Sequence, residues 1–230
     1  MDVSTRYIPN PCTVVRPNPH PGRGTVLVLG PPRSGTSVTA GICHVLGVRM
    51  GMDIDHSNVE DREFHAVLTK PDVARAAAEY FAQLARLAPC VGVKNPVTID
   101  QLRNYYHVIP NPVLVVISRD VYAAAQREQC SGNDFFGSLR AAIRRKYSIL
   151  NFVEVVDEPL IVLSYERLMQ DPTAAAETLG RFIFGDSDPI LARRAAVLVR
   201  PHADMPGDVD FVAERDALEA GRLGGARSVA

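Results

Sequence analysis

A run of apolar residues, Val26-Leu27-Val28-Leu29, passes without a break into Gly30-Pro31-Pro32-Arg33-Ser34-Gly35-Thr36-Ser37, after which Val38, Ile42, Val45 and Leu46 recur at helical spacing before Gly47. An unbroken apolar run indicates a strand covered on both faces, and the stripe that follows is an amphipathic helix stopped by glycine. The same alternation continues. Val91-Gly92-Val93, Val113 to Ile117 and Leu160 to Leu163 read as further covered strands, and Phe136, Leu139, Ile143, Leu150 and Val153 mark a later helix with Arg140, Arg144, Arg145 and Lys146 interleaved. Strands alternating with helices wind into a parallel sheet by right-handed crossovers. The predicted fold is therefore α/β, a three-layer parallel sheet in a single domain, which suits a chain of 230 residues.

Residues 1–24 hold Pro9, Pro11, Pro17, Pro19 and Pro21, each without an amide donor, and are expected to form an extended arm or loose tail, with the α/β domain spanning 25–215. The glycine-rich end, 216–230, has the composition of a frayed tail. Lys and Arg number 25 against 26 Asp and Glu, so there is no basic excess for general nucleic-acid binding and any anion site must be local. Cys12, Cys43, Cys90 and Cys130 form no C-x-x-C pair and lie beside no His cluster, which argues against zinc and a disulfide framework and suits a reducing cytosol. No secretory leader and no membrane-length apolar run is visible, so the expectation is a soluble, cytoplasmic protein.

A strand, a glycine loop and a helix start make an anion cradle, because unpaired amides and the positive end of the helix dipole converge there. Gly35 permits close backbone approach, and Thr36 and Ser37 add hydroxyl donors. The competing reading is a tight turn with a Ser/Thr cap. A nucleotide-hydrolysing loop would read G-x-x-x-x-G-K-S/T, with lysine on the outer phosphates and the last hydroxyl on Mg²⁺. Here Thr36 takes the lysine position and the cation lies upstream at Arg33, so the loop suits a phosphate that needs no γ-phosphate clamp and no metal is expected.

On these residues the chain resembles the PAPS-dependent sulfotransferases, whose 5′-phosphosulfate loop reads P-K/R-S-G-T-S/T after the first strand. Gly92-Val93-Lys94-Asn95-Pro96 is similar to the family's K-D-P strand, Leu114 to Asp120 to its strand ending in R-D-P, and Leu163 to Leu168 with Asp171-Pro172 to its Y-E-x-L…D-P segment. The resemblance runs from Thr25 to about Phe184 and implies the P-loop NTPase/sulfotransferase type of sheet. It also implies a cofactor site: Arg33 with Ser34, Gly35, Thr36 and Ser37 for the 5′-phosphate, Arg119 for the 3′-phosphate, and Tyr165 near adenine. Eight residues beyond Arg119 the family has a serine. Here Arg127 stands, and an arginine can also grip a phosphate. Solvated helix face for Arg127, core packing for Tyr165 and a surface position for Lys94 are the competing readings.

Sulfuryl transfer needs a base near the acceptor hydroxyl. The small-molecule branch of the family places a histidine two residues after the motif lysine, where this chain has Pro96. Met50-Gly51 through Glu63-Phe64 instead resembles the bacterial and carbohydrate-type pattern M-G…G-Y-F-E-D-x-E-F, which puts Glu60 on the catalytic glutamate with Asp61 beside it. His56 is the runner-up base, since imidazole titrates near neutrality. Without the family register, Ser57-Asn58-Val59-Glu60 reads simply as a capping box. The expected activity is transfer of a sulfuryl group from PAPS, leaving PAP, to a hydroxyl or amine of a small-molecule, carbohydrate or lipid acceptor, with Glu60, Arg33, Lys94 and His56 as catalytic candidates. A P-loop kinase or hydrolase and an inactive nucleotide-binding module are the alternatives. The arm and the 192–199 helix are the surfaces on which a second copy of the chain would pack.

Overall fold

The computed structural model describes residues 10–55, 57–94, 99–129 and 132–199. In chain order the elements are β1 (Cys12–Arg16), β2 (Gly24–Leu29), α1 (Thr36–Leu46), β3 (Arg49–Met50), β4 (Ile54–Asp55), β5 (Glu60–Asp61), α2 (Arg62–Leu68), α3 (Val73–Leu84), β6 (Cys90–Lys94) and α4 (Ile99–Tyr105). There follow β7 (Pro112–Ser118), α5 (Val121–Gln129), α6 (Phe135–Val153), β8 (Leu160–Ser164), α7 (Tyr165–Gln170), α8 (Pro172–Phe184) and α9 (Pro189–Val197). The apolar runs expected as strands are β2, β6, β7 and β8. They share one sheet of order β1-β8-β7-β2-β6-β3, in which every pairing is parallel except β1 on β8.

That exception corrects the reading of the N-terminal stretch, because Cys12–Arg16, ahead of the expected start near Thr25, is a strand of the sheet. The segment Cys12–Arg16 contains no proline, so its amides can join a ladder, and it pairs with β8 from Cys12↔Leu163 to Arg16↔Leu160. Arg16 adds bonds from Nε to the Glu158 carbonyl at 2.7 Å and from Nη2 to the Val153 carbonyl at 3.2 Å.

Alternate strand residues face opposite layers. Val26 and Val28 of β2, with Val113, Val115 and Ile117 of β7, pack with α1, α8 and α9, whereas Leu27 and Leu29 pack with Leu114, Val116 and residues of α3, α4 and α6. Both layers are dry, which is why the strands carry no polar alternation. The expected α6 stripe differs from the observed one. Phe136, Ile143 and Leu150 are exposed, whereas Val153 of the stripe is buried in the core under the sheet together with Ile149 and Phe152.

Because β6 and β7 flank β2 on opposite sides, the connection leaving β2 and the ends of both neighbours open onto a crevice at the carboxyl edge of the sheet. Open parallel sheets bind ligands at such a point. Among the described residues no helix is long and apolar enough to cross a membrane.

Candidate active site

A cavity of about 430 Å³ lies at this edge, walled by the β2–α1 loop, the end of β6, the segment before β5, α5 and α7. The loop is shaped by glycine. A Cβ on Gly30 would meet Ser34 Oγ at 2.6 Å and Ile117 Cγ2 at 2.9 Å, and one on Gly35 would meet Tyr165 Cδ2 at 2.4 Å. Gly35 also has φ of 96°, a conformation that costs other residues energy. It is the N-cap of α1 and supplies no side-chain cap, and the first helical amide to bond back is that of Thr39, to the Gly35 carbonyl. Among the described residues the amides of Thr36, Ser37 and Val38 therefore have no protein acceptor. All three residues line the cavity, so the helix start presents open donors to it and is not a side-chain-capped turn.

Ser34 is brought to the loop but not to the cavity wall. Its amide and hydroxyl both donate to the Pro31 carbonyl, at 3.2 and 2.5 Å, and it is buried. It closes the loop that presents its neighbours. Arg33, at φ of 62°, is held in the left-handed region and lines the cavity.

Lys94, at the end of β6, is 3% exposed and turned inward, which removes the surface-lysine reading. Its ammonium donates to Glu60 Oε1 at 2.6 Å, the Asn58 carbonyl at 3.0 Å and Ser37 Oγ at 3.2 Å. Burial pulls the Lys94 pKa below its usual range, against the opposing pull of Glu60. One ammonium thus ties the phosphate loop, the segment before β5 and β6 into a single cluster.

Glu60 is not at a helix start. It lies in β5, and α2 is capped one residue later by Asp61, whose carboxylate accepts from the amides of Glu63 at 2.7 Å and Phe64 at 3.0 Å. Asp61 also accepts from Tyr80 OH at 2.6 Å and from the Met52 amide. With its lone pairs committed to structure and 5% of its surface exposed, Asp61 holds Glu60 in place and does not reach the cavity. Ser57 and Asn58, the other members of the expected capping box, make local turns through Asp55 and the Glu60 amide. His56 and Pro96 lie outside the described residues.

Across the cavity Arg119, just beyond β7, stacks over the Tyr165 ring at 4.5 Å and donates from Nη1 to the Arg33 carbonyl at 3.0 Å. Tyr165, at the start of α7, lines the cavity as well as touching the loop and is not purely a core residue. Arg127, in the last turn of α5, also lines the cavity and has no hydrogen-bond or ion-pair partner among the described residues. The wall also includes residues the sequence did not single out. Met169, Leu198 and Val199 form an apolar side, and Glu128 pairs with Arg33, Oε1 to Nε, at 3.2 Å. A lone acidic residue on an exposed helix carries no local signal of such a role.

The model of the sulfotransferase family matches residues 44–184. The chain belongs to this family. The matched stretch of this sulfotransferase starts just beyond the phosphate loop and includes Glu60, Lys94, Arg119, Arg127 and Tyr165. No curated protein matches it in sequence. Among solved structures, the sulfotransferase domain of the Synechococcus PCC 7002 olefin synthase is 15% identical with a TM-score of 0.55, over 89% of this chain and 98% of that one, and shares its fold. Two structures of retinol dehydratase, one with androsterone and inactive cofactor PAP and one with retinol and PAP, are each 12% identical. Their TM-scores are 0.45 and 0.46, over 76% and 78% of this chain and 64% and 66% of theirs.

Proposed function

We propose that this sulfotransferase moves a sulfuryl group from PAPS to a hydroxyl or amine of a small-molecule, carbohydrate or lipid acceptor. The observation that carries the reading is one cavity lined by four cations, Arg33, Lys94, Arg119 and Arg127, together with the open amides of α1. A doubly phosphorylated adenosine needs two anion sites. A triphosphate clamped by one loop would call for a lysine where Thr36 stands.

Bound PAPS supplies the sulfuryl group, whose bond to the 5′-phosphate breaks as one to the acceptor forms, leaving PAP. The chain's own residues then divide the work. The amides of Thr36 to Val38 with Arg33 and Lys94 hold the charge that grows on the 5′-phosphate, and Arg119 and Arg127 grip the 3′-phosphate, bidentately where geometry allows. Tyr165, stiffened by the Arg119 stack, borders the nucleoside beside Met169 and Leu198. Glu60 takes the acceptor's proton, with Lys94 fixing the carboxylate in the cavity.

Calorimetry with PAP, ADP and ATP tests the donor. PAP is expected to bind at least about tenfold tighter than either, without Mg²⁺. Mg²⁺-dependent preference for ATP would overturn the reading in favour of a nucleotide kinase or hydrolase. Glu60→Gln is expected to slow PAP release from PAPS, in the presence of an accepted hydroxyl or amine, on the order of a hundredfold without weakening PAP binding. Unchanged turnover would move the base elsewhere.

A further inference from the structure

The cations of the cavity are not equivalent. Lys94 is paired with Glu60 and Arg33 with Glu128, whereas Arg119 and Arg127 have no carboxylate partner among the described residues. Two of the four cations are thus neutralised internally. The two pairs also differ from one another. The side chains of Lys94 and Glu60 are 2% and 36% exposed, while those of Arg33 and Glu128 are 37% and 25% exposed, so the first pair has one buried member and the second has both members in reach of water and ions. A pair that stays in contact with water is held weakly and exchanges readily for a better-placed anion.

Glu128 spans a wall. It lines the cavity described above and also a second cavity of about 330 Å³ between α5 and α6, which shares Pro32 with the first. Its Oε1 faces Arg33, and its Oε2 accepts from Asn133 Nδ2 at 3.1 Å. Asn133 lines the second cavity and not the first. The carboxylate therefore has one partner on each side and can leave Arg33 without losing its other hydrogen bond.

Building on the donor reading above, we propose that Glu128 is a displaceable counter-ion of Arg33, exchanged for the 5′ anion of the ligand. In the empty site it occupies Arg33. The 5′-phosphate end of the donor takes Arg33 from it, and the carboxylate turns to Asn133 and the adjoining cavity. A ligand with only a 3′-phosphate engages Arg119 and Arg127 and leaves the Arg33–Glu128 pair intact. The competing role is a tether that aims Arg33 at the ligand, and it predicts the opposite sign. Removing the carboxylate would then weaken binding of a 5′ anion.

Calorimetry on the full chain separates the two, using PAP and adenosine 3′-phosphate as probes with wild type, Glu128→Ala and Glu128→Gln. The expected result is PAP binding at least fivefold tighter in Glu128→Ala, tightened to a smaller degree in Glu128→Gln, and adenosine 3′-phosphate changed less than twofold in both. In an Arg33→Ala background the Glu128→Ala effect on PAP should vanish. A crystal of the wild type with PAP should show Arg33 on the 5′-phosphate and Glu128 on Asn133 alone. PAP affinity that falls or stays level in Glu128→Ala, equal tightening of both probes, or an intact Arg33–Glu128 pair in the PAP complex overturns the proposal and leaves the donor reading standing. A wild type that binds no PAP overturns both.

Discussion

Gly35 is the residue at which the loop has least latitude. At φ of 96° an alanine would sit in a region that costs a side chain about 1–2 kcal/mol, and its Cβ would fall 2.4 Å from Tyr165 Cδ2. Tyr165 cannot yield freely, because Arg119 is stacked on it and is bonded in turn to the Arg33 carbonyl. Gly35→Ala is therefore expected to lower stability by about 2–3 kcal/mol in urea unfolding. It should also weaken PAP binding more than tenfold in calorimetry. A variant that loses stability but keeps its PAP affinity would show that the ring and the cradle are not mechanically linked. Lys94 shows the same economy at one atom, since its ammonium joins three segments that are remote in sequence.

At the scale of elements, the turn from β5 into α2 is what places Glu60, and its strength resides in Asp61. An ordinary N-cap is worth about 0.5–2 kcal/mol. Asp61 also holds the Met52 amide and the buried Tyr80 hydroxyl, whose pKa is raised by burial and by the carboxylate beside it. Asp61→Ala should cost about 3 kcal/mol or more in urea unfolding, because it leaves the Tyr80 hydroxyl buried without its acceptor. Adding Tyr80→Phe to that variant should recover part of the loss. Additive costs would mean that the hydroxyl finds another partner.

Which elements were legible follows the same physics. β2, β6, β7 and β8 are covered on both faces and announce themselves as apolar runs, and α1 is framed by the loop and by Gly47. β1 was hidden by the prolines around it, because its pairing is a tertiary event that composition does not record. Of the α6 stripe, Val153 lies in the core and Phe136, Ile143 and Leu150 are exposed, because helical spacing does not by itself say which large residues turn inward, and Ile149 and Phe152 take that place. In the site, the motif residues Arg33, Lys94, Arg119, Arg127 and Tyr165 line one cavity. Glu128 was not foreseen, since its significance depends on which helix face turns toward the loop.

For the whole molecule the decisive stability variable is alkali. Cys12, Cys43 and Cys90 belong to one apolar layer, under α1, α8 and α9, and burial raises all three thiols, Cys12 and Cys90 to about 12. Burial likewise raises Tyr80, Tyr105 and Tyr106. Each of these groups keeps its proton in the folded chain at a pH where the unfolded chain loses it. Their stability contribution is whole below the unfolded thiol value of 9.0 and is lost as pH climbs toward the folded values. Lys94 works the other way, since its folded pKa is lowered and its share of stability rises with pH up to 10.5, but it is one group against six. By about pH 10.5, Cys12 and Cys90 should each have withdrawn about 2 kcal/mol. The expected urea midpoint is level near neutrality and falls steeply above about pH 9. Cys90→Ala should lower stability at neutral pH yet flatten that fall. A midpoint that holds steady to about pH 10.5 would contradict the burial of these groups. Because α1 lies on the thiol-bearing layer and its amino end is the proposed 5′-phosphate site, PAP should oppose the loss. At a hundred times its Kd it adds about 2.7 kcal/mol to the folded state, so the alkaline midpoint should move upward in its presence and stay put with adenosine alone.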